Sequence, residues 1–459
     1  MGRQRLLLLA RRPRKNRLLP SPLAYRRGID LLMKSAPPGE ARLKKAAPGR
    51  LVTSRPPSVT RGWIVAAGFA AWVGALWWVR SVRMNDAVQA TVICMASLAV
   101  VNFVFDLLFL KVHASESSGL DWKKFNPSWR RTAIKFVGLL ATLGFIGSLY
   151  WVFPEYHGDF YVQYKELLLR YLPWCLALSI PYIYFVDGLQ KDQHDGYCAT
   201  GMAFTLQFEK VNAAVLWQHC LGWLVKGYFI ALMFTYYVRY TQTFLAYDLS
   251  SIRDFRGFYD FCYFFIFLAD SGLVSAGYLL TFRVFDTHIR RTEPTFKGWC
   301  VALVCYQPFW SWFSGSYLDY SKDYAWGTWL QGKPVLYSLW GSMILLLLAI
   351  YLWATIMFGC RFSNLTHRGI LTNGPYRWTK HPAYISKNLA YWLIYIPFIV
   401  SQSPLDSVRR CALLGLLNYV YYLRAQTEEA NLSFDPVYVQ YSDWIKQHGI
   451  FRWLRRAKP

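Results

Sequence analysis

Between Arg361 and Lys387 the chain carries a dense run of polar and aromatic residues, and a second such run lies between Arg424 and Tyr441. In the first, Asn373-Gly374-Pro375 is turn chemistry, because glycine permits positive φ and proline fixes the next φ. Pro382 has no backbone donor to lose and suits the first turn of a helix. His381 and Tyr384 then stand at a helix mouth, where free N–H groups and the helix dipole favour a carboxylate or phosphate. Arg377 and Lys380 add positive charge beside them. In the second run, Arg424 and Glu428 share one face of a helix at i,i+4 spacing, and Glu428-Glu429 are adjacent carboxylates. Such a pair at a membrane boundary is costly unless an amino-acid ammonium, a ribose or Arg424 meets it. Together the two halves offer cations for a carboxylate and anions for an amine. A zwitterionic cofactor with an adenosyl tail fits that demand.

The elements that must position these residues are membrane spans. The chain has 459 residues, 54% hydrophobic, 18% aromatic and 17% charged, whereas a soluble domain carries about 25% charged residues. Ten apolar stretches approach the ~20 residues a spanning helix needs. They fall at about 63–79, 86–110, 133–153, 169–188, 215–238, 258–281, 297–313, 336–358, 388–402 and 408–423. The seventh is short and interrupted by Pro308; the ninth, with Pro397, could be half of a re-entrant hairpin. The expected fold class is therefore all-α, a polytopic helical membrane bundle of about ten transmembrane helices with no soluble domain. Three parts are expected: a basic, disordered cytoplasmic arm over 1–61, an N-terminal transmembrane bundle over 62–335, and a core over 336–459 bearing the site. Met33 offers an alternative initiator.

Charge sets the orientation. Residues 1–61 hold sixteen lysines and arginines against Asp30 and Glu40, within a net charge of +25 for the chain. Only Tyr25 interleaves aromatic character with that charge, so topology or anionic lipid explains the arm better than nucleic acid, and no nucleic-acid partner is expected. Placing the arm in the cytoplasm puts Lys111, Lys123, Lys124, Arg130, Arg131, Arg283, Arg290 and Arg291 inside and the acidic loop 154–168 outside. Arg239, Arg253 and Arg256 break the rule. Eight spans before residue 360 leave 361–387 cytoplasmic, and the hairpin of spans nine and ten returns residues after 424 to the same side. The two polar runs are thus expected to meet at the cytoplasmic face.

The run Gly374-Pro375-Tyr376-Arg377, then Lys380-His381-Pro382-x-Tyr384, then Glu428-Glu429 one helical hairpin later, resembles the isoprenylcysteine carboxyl methyltransferase family and its phospholipid methyltransferase relatives. The resemblance covers about residues 361–445. It implies S-adenosyl-L-methionine (S-adenosylmethionine) as cofactor, bound at the cytoplasmic face beneath a lipid-accessible tunnel. By that analogy Leu371, Thr372, Gly374, Pro375 and Tyr376 hold the adenosyl part through backbone groups. His381 and Tyr384 orient the methionyl end, Glu428 or Glu429 meets its ammonium or ribose, and Arg424 is counted with them among the cofactor-binding residues. Two departures stand out: Lys380 replaces the usual arginine and loses its bidentate fork, and the first six spans have no counterpart in minimal members.

The function so implied is an integral membrane methyltransferase acting on a lipid-like or prenylated amphipathic acceptor, carboxylate or amine. Methyl transfer to a carboxylate needs mainly alignment and exclusion of water. An amine must first lose a proton, for which Glu428 is the candidate base. Two alternatives of other classes remain open. One is a membrane NADPH-dependent sterol-type double-bond reductase. The other is a non-catalytic transporter or scaffold built around Lys226 and Asp270, which are expected to pair within consecutive spans. The nine cysteines show no metal-ligand spacing, no metal is expected, and Asp192, His194, Asp195 and Cys198 read as a polar loop. Tyr438 and Tyr441 read as interfacial anchors.

Overall fold

The computed structural model describes residues 54–314, 325–400 and 403–452, which belong to one compact unit; the basic arm up to residue 53 lies outside the described residues. Most of what is described is helix. The elements are α1 Gly62–Ser81, α2 Ala87–Phe105, α3 Trp129–Val152, α4 Val162–Leu189, α5 Gly196–Phe204, α6 Ala213–Ala246 and α7 Phe255–Leu279. They continue as β1 Arg291–Thr292, α8 Phe296–Leu303, α9 Phe309–Ser314, α10 Trp326–Trp329, α11 Pro334–Ile356, β2 Thr366–His367, α12 Pro382–Tyr395, α13 Pro404–Leu432 and α14 Pro436–His448. Among the described residues seven helices are long and apolar enough to cross a membrane: α1, α2 with its extension to Leu110, α3, α4 with its lead-in from Asp159, α6, α7 and α11. These match seven of the ten expected spans.

Polar caps set where the helices begin. Asp86, Ser128, Asn212 and Asp254 each accept a backbone N–H in the first turn of α2, α3, α6 and α7, a contribution of about 1 kcal/mol apiece. Pro334, Pro382, Pro404 and Pro436 open α11 to α14, where a missing N–H costs nothing. The other three expected spans take different forms. The seventh is two short helices, α8 and α9, with Pro308 just before the second. The ninth starts earlier, at Pro382, and stops where Ile396 adopts φ 35° ahead of Pro397. The tenth runs on as 29 helical residues to Leu432, so the carboxylate pair is helical.

The bundle has two ends, and one gathers the polar loops. The end of α2 and the start of the loop after α11 are joined by Asp106 and Arg361, 2.9 Å apart and both buried. β1 and β2 pair antiparallel, Arg291 opposite His367 and Thr292 opposite Thr366. Arg368 is the hub of this end: its guanidinium donates to the carbonyls of Gly277, Leu280, Thr287, Cys360 and Phe362. Those carbonyls include the last ones of α7, which have no partner inside the helix, so a single buried cation locks the loop 357–373 onto α7.

Residues 54–61, expected as the end of a disordered arm, instead form an extended strap at this same end. Val59 N donates to Ile370 O at 3.0 Å and Thr60 Oγ1 to Met357 O at 2.8 Å. Thr372 Oγ1 donates to Pro56 O at 2.8 Å, and Asn373 Nδ2 to Thr60 O at 2.8 Å. The buried amides of the loop 370–373 need partners because no secondary structure supplies them.

The charges inside the helices differ from expectation at one pair. Lys226 and Asp270 do not bond to each other: the Lys226 ammonium donates to Thr281 Oγ1 at 2.8 Å and lies 4.1 Å from the Trp223 ring centroid. Asp270 accepts from Tyr351 OH at 2.7 Å and Thr355 Oγ1 at 3.0 Å on α11. Lys135 is the paired one, 3.0 Å from both Asp187 and Asp195. Asp195 also caps α5, so that part of the polar loop is built into the helix packing.

Candidate functional site

The C-terminal ends of α11 and α13, the N-terminal end of α12 and the strap enclose a cavity of about 200 Å³. Its walls mix apolar side chains (Val59, Phe358, Ile370, Leu371, Leu432) with polar ones from five elements. Pro382 starts α12, and so His381 stands at its N-cap with Tyr384 one turn inside. Their rings lie parallel, 5.5 Å between centroids. α13 brings Arg424, Thr427, Glu428 and Asn431 to the same space at helical spacing.

The two polar runs meet. His381 Nε2 donates to Glu429 Oε1 at 3.0 Å, and Lys380 Nζ donates to Glu429 Oε2 at 2.6 Å. His381 Nδ1 lies 3.9 Å from Glu428 Oε2, and Tyr384 donates its hydroxyl proton to Glu428 Oε1. Arg424, 4% exposed, approaches Glu428 Oε1 to 3.4 Å, the i,i+4 contact expected of a continued helix. Burial alone raises the Glu429 carboxyl, but hydrogen bonds from His381 and Lys380 outweigh it and hold it at about 2. Glu429 faces a second, shallower cleft with Lys446 and Gly449, whereas Glu428 faces the cavity.

The sequence-nominated residues divide by role. His381, Tyr384, Arg424 and Glu428 line the cavity, as do Leu371 and Tyr376. Thr372, Gly374 and Pro375 do not. Thr372 is spent on the strap, and Gly374 packs on α11, where an added Cβ would come within 2.6 Å of Met357 Cγ and Sδ at φ 53°. These residues shape the loop and present Leu371 and Tyr376. Lys380, in place of a fork-bearing arginine, is engaged by Glu429 and by the Tyr438 ring 5.9 Å away.

Several lining residues carried little sequence signal. Asn364 Oδ1 accepts from Arg424 Nη2 at 2.5 Å, while its amide donates to Tyr306 OH at 3.0 Å. Tyr306 follows α8 and comes from the broken seventh span. Tyr351, Thr355, Lys387 and Tyr421 line the part of the cavity that runs between the helices. Tyr438 and Tyr441 are not interfacial anchors: both are buried, both line the cavity, and Tyr441 donates to Tyr376 O at 2.6 Å. α14, which carries them, is fixed by its N-cap Asp435, whose second oxygen lies 2.7 Å from His367 Nε2 on β2.

Chemically this is a chamber lined by the carboxylates of Glu293 and Glu428, the guanidiniums of Arg361, Arg368 and Arg424, the ammoniums of Lys380 and Lys387, the His381 imidazole, the amides of Asn364 and Asn431 and several hydroxyls, with apolar residues between them. Comparisons with protein-family models, with curated proteins and with solved structures find no match.

Proposed function

We propose that the chain is an integral membrane methyltransferase that uses S-adenosylmethionine and acts on a lipid-like acceptor from the cytoplasmic leaflet. The observation that carries this reading is the convergence of His381, Tyr384, Arg424 and Glu428, from stretches some 40 residues apart, on one cavity. The donor set suits the cofactor. Glu428 accepts at the cavity wall and would take an ammonium or ribose hydroxyls. Asn364, Thr427 and Asn431 offer further polar atoms, and the apolar wall of Ile370, Leu371 and Leu432 suits a purine face. The cofactor would supply the methyl group as a sulfonium. The residues hold, orient and exclude water: Arg424 and Tyr384 fix the Glu428 carboxylate, and Lys380 with His381 ties the α12 mouth to α13. Glu428 is also the group placed to take a proton from an amine acceptor.

The expected ten crossings and their sense belong to this reading. β1 pairs with β2 at the site end, while Trp326 packs 4.8 Å from Tyr259 near the start of α7, the opposite end. On this reading the chain passes from one end to the other between Thr292 and Trp326, giving eight crossings before the loop at 361. α12 and α13 then form the hairpin that brings Glu428 back. The site end carries Lys123, Lys124, Arg130 and Arg131, so the positive-inside rule makes it cytoplasmic.

The test is binding of labelled S-adenosylmethionine and of NADPH by the purified full chain. Saturable S-adenosylmethionine binding that NADPH does not displace is the expected result. Binding of NADPH alone would replace the proposal with the reductase alternative. Binding of neither, with activity that depends on Lys226 or Asp270, would favour the transporter.

A further inference from the structure

The inner part of the cavity differs from its mouth. Lys387 lies six residues into α12, about 9 Å along the helix from His381. Its ammonium stands over the rings of Tyr351 and Tyr391, 5.1 and 5.8 Å from their centroids. Among the described residues no carboxylate comes within 4.0 Å of it, in contrast to Lys135 and Lys380, which have theirs. The carboxylate that acts on it electrostatically is Asp270, whose oxygens are already held by the hydroxyls of Tyr351 and Thr355. Lysine, tyrosine and aspartate thus form a relay in which the anion is turned away into the helix packing and the cation is left facing the cavity, which Lys387, Tyr351 and Thr355 line. A cation inside a helical membrane bundle is expensive and stays only where it is used. Purely structural duty would have closed the pair.

We propose that this inner end is an oxyanion subsite, in which Lys387 binds the acidic group of an amphiphile. The occupant is an amphiphile and not a free anion because the helices that enclose the subsite present apolar faces outward. Leu346 on α11, Leu389 on α12 and Leu416 on α13 are all exposed, so a ligand at this depth has lipid-facing walls around it. The inference rests on the methyltransferase reading only for calling that amphiphile the acceptor. Binding itself does not depend on it. A carboxylate and a phosphate meet an ammonium alike. An amine-headed amphiphile without an acidic group would face Lys387 with like charge and be rejected.

The experiment titrates dodecyl phosphate, dodecanol, dodecylamine and inorganic phosphate against the full chain in an uncharged detergent, by tryptophan fluorescence. Wild type should bind dodecyl phosphate about tenfold tighter than dodecanol, the order expected of a charge-assisted hydrogen bond out of water. Lys387→Met should bring the two within about twofold, and Asp270→Asn, which removes the distant countercharge, should widen the gap. Lys387→Gln serves where the methionine variant does not fold. No preference in wild type, or a preference that survives in Lys387→Met, overturns the proposal. Displacement of dodecyl phosphate by equimolar inorganic phosphate overturns the amphiphile. S-adenosylmethionine binding is measured on the same wild-type sample: its absence would remove the methyltransferase reading and leave the subsite standing.

Discussion

Glu428 and Glu429 are neighbours in sequence with opposite employment. Glu429 is consumed by Lys380 and His381 and works as the tie between α12 and α13. Glu428 lines the cavity, with Tyr384 and Arg424 holding its Oε1 from within the same wall. The two should therefore separate in mutants. Glu428→Gln should weaken cofactor binding by about 10- to 100-fold, the range for losing one charged hydrogen bond, with little change in thermal stability. Glu429→Gln should instead lower thermal stability. Its pH dependence has a definite sign. The carboxyl sits at about 2 in the folded protein, below the ~4.3 of an unfolded glutamate. The stability it adds is present above about pH 4.3 and is lost as pH falls toward 2. Melting temperatures of wild type and Glu429→Gln should therefore differ at pH 6, and the gap should narrow below pH 4 and close only toward pH 2. A gap that stays constant across that range would show that the tie is not ionic.

At the level of elements, the loop 357–373 has almost no regular structure and is held by what surrounds it. The strap is one holder, and Thr60→Val should cost about 1 kcal/mol through the lost bond to Met357 O, visible as a lower melting temperature and weaker cofactor binding together. Arg368 is the other. Arg368→Met removes a donor shared by five backbone carbonyls, of which Leu280 O keeps Thr287 Oγ1, and should destabilise by several kcal/mol, read as loss of the folded peak in size-exclusion chromatography. What the sequence disclosed about these elements follows from how each signal is carried. His381, Tyr384, Glu428 and the i,i+4 Arg424 were legible because proline and helical spacing place them locally. Long apolar runs disclosed seven helices for the same reason. Asn364, Tyr306, Lys387 and Val59 were not legible, since each reaches the cavity through a contact between distant segments. Thr372, Gly374 and Pro375 stand outside the cavity lining and face the strap and α11, because a turn sequence does not say which side it presents. The Lys226–Asp270 pair failed on direction: consecutive helices bring two charges to neighbouring faces without making them meet.

Across the whole molecule, the N-terminal helices act as the frame on which the site is hung. α7 gives the carbonyls that Arg368 caps and the Asp270 that balances Lys387. α2 gives Asp106 to Arg361, and the strap before α1 gives Val59 to the cavity wall. A crossing between Thr292 and Trp326 puts Lys124 and Lys333, both exposed, on opposite sides of the membrane. In sealed vesicles, Lys124→Cys should be labelled by a membrane-impermeant maleimide only from the cytoplasmic face and Lys333→Cys only from the other, relative to the unsubstituted chain. Labelling of both from one face would refute the crossing.

The proposed function turns on a methyl donor lodging in the cavity that His381 and Glu428 line. Isothermal titration of S-adenosylmethionine into wild type, His381→Ala, Tyr384→Phe and Glu428→Gln tests it most directly. One-to-one binding by wild type that weakens at least about tenfold in Glu428→Gln, and measurably in the other two, is expected. Affinity unchanged in all three variants, or no binding by a folded wild type, would contradict it.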